Sequence, residues 1–321
     1  MNLKRAAIFS GAFLAIFFTW GAYSSYLFLQ EITTYDSVSL EKSRNEFKEK
    51  FKVIGVGAPS DYGFNNSIEI KYNSFDGTQL SGWLIKSSKV DAKKCIVLIH
   101  DRESNRIEML KYLQLIKDIK LENEYHIVLP DLRNSGNSEE GETLMGYKFS
   151  EDITALVGLL NTQLKIEEVT LYGVGMGAIS AAIAVRRRDL QGYLQEKNVY
   201  VTSLILDSPY SNVKAQVQRN GNAYAEIIQN VAFYLFDNRV EGYLDYMRLG
   251  ALLDQVDQQV LILQNIGDEI TPTDLLLSEL NENNWVKLEL FDGDEHGNIY
   301  PHPSYKNKYL KLVKDFFNET N

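Results

Sequence analysis

A glycine-rich turn occupies residues 172–178, where the chain reads YGVGMGA. The apolar residues that lead into it, from Val169 to Tyr172, predict a buried strand. The Ala-rich residues that follow it predict a helix. Glycine stands at every second position between this predicted strand and this predicted helix.

Short apolar runs recur on both sides of this turn and alternate with stretches of helical periodicity. The runs lie at 95–99, 127–129, 204–206 and 260–263. Unbroken runs of this kind are typical of strands buried on both faces, so they predict a mostly parallel sheet with helices on both faces. Before them, a period-two run from residue 67, an Asp76-Gly77 pair and a second run to Ile85 predict a β-hairpin. We expect one α/β domain over residues 67–321.

The composition is that of a globular protein and excludes several classes of function. Of the 321 residues, 45% are hydrophobic and 24% are charged, which are ordinary values for a protein with a sizeable core. The net charge of −10 argues against a surface for DNA or RNA. The one cysteine, Cys95, excludes an internal disulfide and lies in an apolar run, which predicts a buried thiol.

The N-terminal residues predict a membrane anchor. Residues 6–29 carry no charge, and a helix of that length covers about 36 Å, enough for a hydrocarbon core of about 30 Å. Lys4 and Arg5 precede this span and acidic residues follow it. The positive-inside rule therefore predicts a cytoplasmic tail at 1–5, a single pass, and a body in the periplasm or outside the cell. A signal peptide cleaved near Ser24 is the alternative, but the apolar stretch continues beyond that site.

Several segments together resemble the α/β-hydrolase superfamily over about residues 67–317. The turn at 172–178 resembles its nucleophile elbow, Gly-x-Ser-x-Gly. Other segments that follow predicted strands are similar to the oxyanion loop (LIHDR, 98–102), to the Asp-x-Arg-Gly-x-Gly-x-Ser turn (LPDLRNSGNS, 129–138), to the acid loop (DEITP, 268–272) and to the base loop (GDEHG, 293–297). Membrane-anchored bacterial esterases and peptidases are the similar members. For residues 30–66 we expect a connector with a helix at about 36–52.

The resemblance implies roles for specific residues. Asp268 would be the catalytic acid and His296 the base, and the oxyanion region would comprise His100, Asp101, Arg102 and Met176. It also implies a helical lid at about 211–259 and a small ester, acyl or peptide ligand. The resemblance implies no cofactor, and the spacing of the four histidines (His100, His126, His296 and His302) does not suggest a metal site. No particular protein partner is predicted.

The sequence differs from the α/β-hydrolase pattern at the positions that carry out catalysis in that superfamily. The serine position is Gly175, which has no side chain and hence no nucleophile. Asp101 replaces a small glycine of the oxyanion loop, and a negative charge there would oppose the charge that forms in the transition state. Asn134 and Asn265 replace two further glycines.

These departures favour a pseudoenzyme that retains a cleft for a ligand or a surface for partners. One alternative is an active esterase or peptidase that uses a non-standard route, such as a water activated by His296 and Asp268. A third class is a structural subunit of a membrane complex.

Overall fold

Eight strands form one sheet in the computed structural model, which describes residues 3–51, 57–221, 223–254, 256–280 and 285–320. Their order is β1-β2-β4-β3-β5-β6-β7-β8. Strand β2 pairs antiparallel with β1 and β4, and the other neighbours are parallel. The strands are β1 (Ser67–Asn73), β2 (Gln79–Ile85), β3 (Lys94–Ile99), β4 (Tyr125–Asp131), β5 (Glu168–Val174), β6 (Tyr200–Asp207), β7 (Gln259–Asn265) and β8 (Val286–Phe291). The predicted hairpin and mostly parallel sheet are confirmed.

Helices cover both faces of this sheet, as the buried strands require. Cys95, Val97 and Ile99 of β3 join the core on one face, whereas Ile96 and Leu98 join the core on the other. The helices are α1 (Leu3–Thr33), α2 (Leu40–Phe51), α3 (Arg106–Met109), α4 (Lys111–Asp118), α5 (Tyr147–Leu164), α6 (Met176–Arg186), α7 (Arg188–Glu196), α8 (Val213–Asn220), α9 (Glu226–Arg239), α10 (Leu249–Leu253), α11 (Thr273–Glu279) and α12 (Lys306–Thr320).

Helix α1 continues past the predicted end of the membrane span and enters the folded domain. Its large apolar side chains between Phe13 and Trp20 are exposed, whereas Phe28, Leu29 and Ile32 are buried in the core. Its most extensive packing is against α9. The apolar part, Ser10–Thr33, has 24 residues and is long enough to cross a bilayer. One helix thus combines an exposed apolar half with a half that packs on the domain.

The segment after α1 also packs on the domain. The Val38 N–H donates to the Asn134 carbonyl over 3.0 Å, and the Gly136 N–H donates back to the Val38 carbonyl over 2.8 Å. Helix α2 lies within the predicted connector helix at about 36–52. The residues expected to form a connector therefore include a stretch that is hydrogen-bonded to the turn after β4.

Candidate active site

Gly175 lies at the turn between β5 and α6 in a backbone conformation that side chains rarely allow. Its φ is 55° and its ψ is −116°, in keeping with the strained strand-to-helix turn of a nucleophile elbow. A Cβ on Gly177 would lie 2.4 Å from the His100 carbonyl oxygen, and one on Gly173 would lie 2.5 Å from the Gly177 carbonyl oxygen. The turn therefore keeps the geometry of an elbow although no serine is present.

The carboxylate of Asp101 fills the space into which a side chain at position 175 would extend. A Cβ on Gly175 would lie 2.1 Å from Asp101 Oδ1. That oxygen accepts hydrogen bonds from the backbone N–H of Met176, at 2.6 Å, and of Arg102, at 2.7 Å. An N–H after the nucleophile and an N–H from the loop after β3 are the donors of an oxyanion hole. Asp101 thus places a fixed negative charge where such donors would receive an oxyanion.

His296 bridges Asp101 and Asp268. Its Nε2 lies 2.9 Å from Asp101 Oδ2, and its Nδ1 lies 2.8 Å from Asp268 Oδ2. The side chains of His296 and Asp101 are 11% and 16% exposed, and that of Asp268 is fully buried. The structure therefore brings together the two residues expected to be acid and base, and it places Asp101 where a serine would meet the histidine.

Solved structures of hydrolases share this architecture. The esterase Pf2001 of Pyrococcus furiosus is 18% identical with a TM-score of 0.61, and the match covers 84% of this chain and 98% of that one. The esterase RhEst1 of a Rhodococcus species is 17% identical with a TM-score of 0.53, covering 79% and 99%. The chain has the α/β-hydrolase fold. The acylaminoacyl peptidase of Pyrococcus horikoshii is 18% identical with a TM-score of 0.53, covering 79% of this chain and 41% of that one. No family model and no curated protein matches the sequence.

The two carboxylates hold His296 in its protonated form. Burial by itself would lower the pKa of His296, but the hydrogen bonds and charges of Asp101 and Asp268 outweigh it and raise that pKa to about 10. Burial acts to raise the pKa of Asp268, yet the contacts with His296 and Thr271 leave it below its ordinary value. At neutral pH the site is therefore an imidazolium between carboxylates. Such a histidine has no free lone pair with which to act as a general base.

Both carboxylate oxygens of Asp268 accept hydrogen bonds from the residues that follow it in the acid loop. Its Oδ1 accepts from the N–H groups of Ile270 and Thr271, each at 2.9 Å, and its Oδ2 accepts from the Thr271 hydroxyl at 2.8 Å. Asn265, which replaces a glycine of the α/β-hydrolase pattern, donates from Nδ2 to the Glu295 carbonyl over 2.6 Å. This bond ties the end of β7 to the residue before His296, a contact that the sequence did not predict.

His100 supports the loop that carries Asp101. Its Nδ1 lies 2.7 Å from the Asp101 carbonyl oxygen, and its Nε2 accepts from the Leu132 N–H at 3.0 Å. Burial lowers the pKa of His100 to about 4, so the ring is neutral and its Nδ1–H donates to the carbonyl. His100 is therefore a buried structural histidine that fixes the backbone next to the site.

Arg102 contacts the site with its backbone and helix α1 with its side chain. Its backbone N–H bonds to Asp101, but its side chain turns away to the C-terminal end of α1. Nη2 donates to the carbonyls of Glu31, at 2.9 Å, and Thr34, at 3.0 Å. A cation at the end of a helix also meets the negative end of its dipole. The loop that carries Asp101 is thus held directly by α1.

A cavity of about 360 Å³ opens beside Asp101. Helix α1 contributes Phe28 and Ile32 to its wall, and helix α8 contributes Val217. Charged groups of the loop after β3, including Arg102, lie at the same cavity. The α/β-hydrolase fold of this chain therefore retains a partly apolar space next to the elbow.

Proposed function

We propose that this protein is a membrane-anchored pseudoenzyme of the α/β-hydrolase fold that binds a ligand in its cleft without serine-hydrolase chemistry. One observation carries the proposal: the Asp101 carboxylate lies between His296 and the backbone N–H groups of Met176 and Arg102. The anchor is helix α1, and we take it as uncleaved because its apolar stretch continues past the candidate cleavage site at Ser24.

Three linked features oppose acyl transfer at this site. Position 175 offers no nucleophile, and loss of the serine alone costs a serine protease roughly 10⁶-fold in turnover, or about 8 kcal/mol of barrier. Asp101 takes up the donors that would stabilise an oxyanion, and its charge would repel that oxyanion. His296 is protonated at neutral pH and cannot accept a proton from a serine or from water. Because Asp101 both occupies these donors and helps to raise the pKa of His296, its removal would relieve the second and third features together but would still supply no nucleophile.

The cavity beside Asp101 supports a binding role. Its apolar wall at Phe28, Ile32 and Val217 suits an acyl chain or an apolar peptide side chain. Thermal unfolding with short acyl amides or blocked dipeptides measures this binding, because a ligand of the folded state stabilises it, by about 2.7 kcal/mol at a hundred times its dissociation constant. A Val217→Trp variant, which fills the cavity, should unfold at the same temperature with and without the ligand.

The lack of chemistry is tested on the unmodified full-length protein. We expect no covalent adduct with a fluorophosphonate probe, and turnover of p-nitrophenyl acetate no greater than that of the His296→Ala variant. Circular dichroism of both proteins controls for folding. Ester hydrolysis that disappears in His296→Ala would contradict the pseudoenzyme proposal.

A second candidate function retains hydrolysis, with Asp101 itself as the nucleophile. It is favoured by one observation: Asp101 Oδ1 is held by two N–H donors while Oδ2 faces His296. The carboxylate would attack a saturated carbon, release the leaving group as an anion and form an ester on Asp101. Loss of that negative charge would lower the pKa of His296, which would release its proton to solvent. The neutral imidazole would then take a proton from water as that water attacks the ester carbonyl, releasing the alcohol and regenerating Asp101.

Intact-mass measurement separates the two candidates. After incubation with a primary alkyl bromide, the second candidate requires an alkyl adduct that Asp101→Asn abolishes. It also requires that His296→Gln accumulates the adduct, because water is no longer activated. The pseudoenzyme proposal expects no adduct at Asp101 in either protein.

A further inference from the structure

The outer face of α9 carries no charged residue between positions 227 and 236 and is mostly apolar, with the exposed Asn230 as a polar member. Residues 227–236 read IIQNVAFYLF and contain no charged residue. Ile227 and Tyr234 are 71% and 72% exposed, and Val231 and Leu235 are also exposed. These four side chains recur at the spacing of one helical face, whereas Ile228, Phe233 and Phe236 on the other side are buried. A water-exposed helix of a soluble protein normally carries charges on such a face.

Helix α9 lies beside the point where α1 passes from its exposed apolar half to its packed half. The Phe28 ring of α1 meets Phe233 of α9 with 6.0 Å between ring centroids. Just before Phe28, α1 exposes Trp20, Tyr23 and Tyr26. Tryptophan and tyrosine are enriched at the boundary between hydrocarbon and water. If α1 spans the membrane, its aromatic residues place α9 at that boundary.

We propose that the uncharged face of α9 lies on the bilayer surface next to the exit of α1. This inference rests on the membrane anchor of the proposed function. The occupant of the face is lipid rather than a second copy or another protein, because α1 holds the face at the level of the bilayer at all times. Helix α9 also packs on α1, whose exposed apolar side chains suit a lipid environment. Apolar and aromatic side chains on one side of a helix without opposing charge suit the boundary between headgroups and acyl chains.

Site-specific fluorescence in vesicles tests this placement with the full-length chain. The native thiol is removed by Cys95→Ala, and Val231→Cys then carries an NBD label in phosphatidylcholine–phosphatidylglycerol vesicles. Val90→Cys is the matched control, because Val90 is 94% exposed in the loop between β2 and β3. Phe17→Cys reports on α1 itself. We expect doxyl-labelled lipid to quench the labels at 231 and 17 several-fold more strongly than the label at 90, which aqueous iodide should quench instead.

Any other quenching pattern would disprove the α9 placement, the membrane anchor or both. Iodide quenching at 231 as strong as at 90, with lipid quenching at 17, would disprove the α9 placement and leave the anchor intact. Absence of lipid quenching at 17 would disprove the anchor and the inference together. A label at 231 that neither quencher reaches would mean that protein covers the face, which also overturns the inference. Tyr234→Cys repeats the measurement at a second exposed position, and the fluorophosphonate test of the pseudoenzyme is independent of all of these.

Discussion

The side chain of Asp101 occupies the space that any side chain at position 175 would need. Asp101 Oδ1 lies 2.1 Å from the position of a Cβ at 175, well below any real contact distance. The glycine at 175 and the position of the Asp101 carboxylate are therefore structurally coupled. A side chain at 175 can enter the elbow only if Asp101 leaves it.

This exclusion predicts that the elbow is rescued only by changing both positions. Gly175→Ser alone should give no fluorophosphonate adduct, because the serine collides with Asp101 and the positive φ adds strain. Asp101→Gly alone should give none, because it supplies no nucleophile. The double variant should label at a rate at least about 100-fold above either single variant, since the oxyanion donors and His296 become available together.

The triple variant that adds His296→Ala is the control for this rescue and should lose the labelling. Equal labelling of Gly175→Ser and the double variant would show that Asp101 does not block the site. A folded double variant without any adduct would favour the class of structural subunits.

The charge of Asp101 should be visible in the titration of His296. Asp101→Asn keeps the shape of the side chain but removes one of the two charges that raise the pKa of His296 to about 10. We expect that pKa to fall by about one to three units, the usual effect of one close charge. The ring-proton chemical shifts of His296, followed by NMR against pH, measure it. An unchanged pKa would place the Asp101 carboxylate elsewhere in solution.

The same raised pKa predicts how stability depends on pH. The pKa of His296 is higher in the folded than in the unfolded protein. Its contribution to the free energy of unfolding is therefore fully present below about pH 6.5, the ordinary pKa of a histidine. The contribution is then lost as the pH rises toward 10. Urea unfolding between pH 6 and pH 10 should show this decline, and Asp101→Asn should show a smaller one. A free energy of unfolding with the same slope in both proteins would contradict the ion-pair arrangement.

Arg102 should stabilise the junction between α1 and the loop that carries Asp101. Arg102→Ala removes the donors to the carbonyls of Glu31 and Thr34, and we expect a loss of about 1–2 kcal/mol in the free energy of unfolding. Arg102→Lys is the matched control: it keeps the charge with a simpler donor group, so the loss should be smaller. Urea unfolding in detergent compares the three proteins. Equal stability of all three would mean that the contact contributes nothing.

The orientation of the anchor is a further prediction. By the positive-inside rule, Lys4 and Arg5 before the span predict an N-terminus in the cytoplasm and a folded body outside it. Protease added to intact spheroplasts should therefore degrade the body, detected with an antibody to the C-terminal helix. A cytoplasmic marker protein should survive the same treatment. Protection of the body until lysis would reverse the orientation.

The fold is largely predictable because its signals are local. Apolar runs of strand length, the Asp76-Gly77 turn and the glycines at 172–178 each constrain the backbone over a few residues. The carboxyl ends of parallel strands meet at one edge of the sheet, so the loops that carry Asp268 and His296 can be expected to lie near each other. Asn134 likewise adopts the positive φ, 62°, that its replacement of a glycine suggests.

What the sequence by itself determined about this protein is the α/β architecture, an apolar N-terminal helix and the absence of a side chain at 175. Only the tertiary structure decided where the side chain of Asp101 points, because an aspartate next to a tight loop can equally well face solvent. The tertiary structure also shows that the Arg102 side chain bonds to the end of α1 and that the Asn265 side chain bonds to the loop of His296. Such contacts join residues far apart in the chain, so they depend on strand register and side-chain rotamer, which local patterns do not encode.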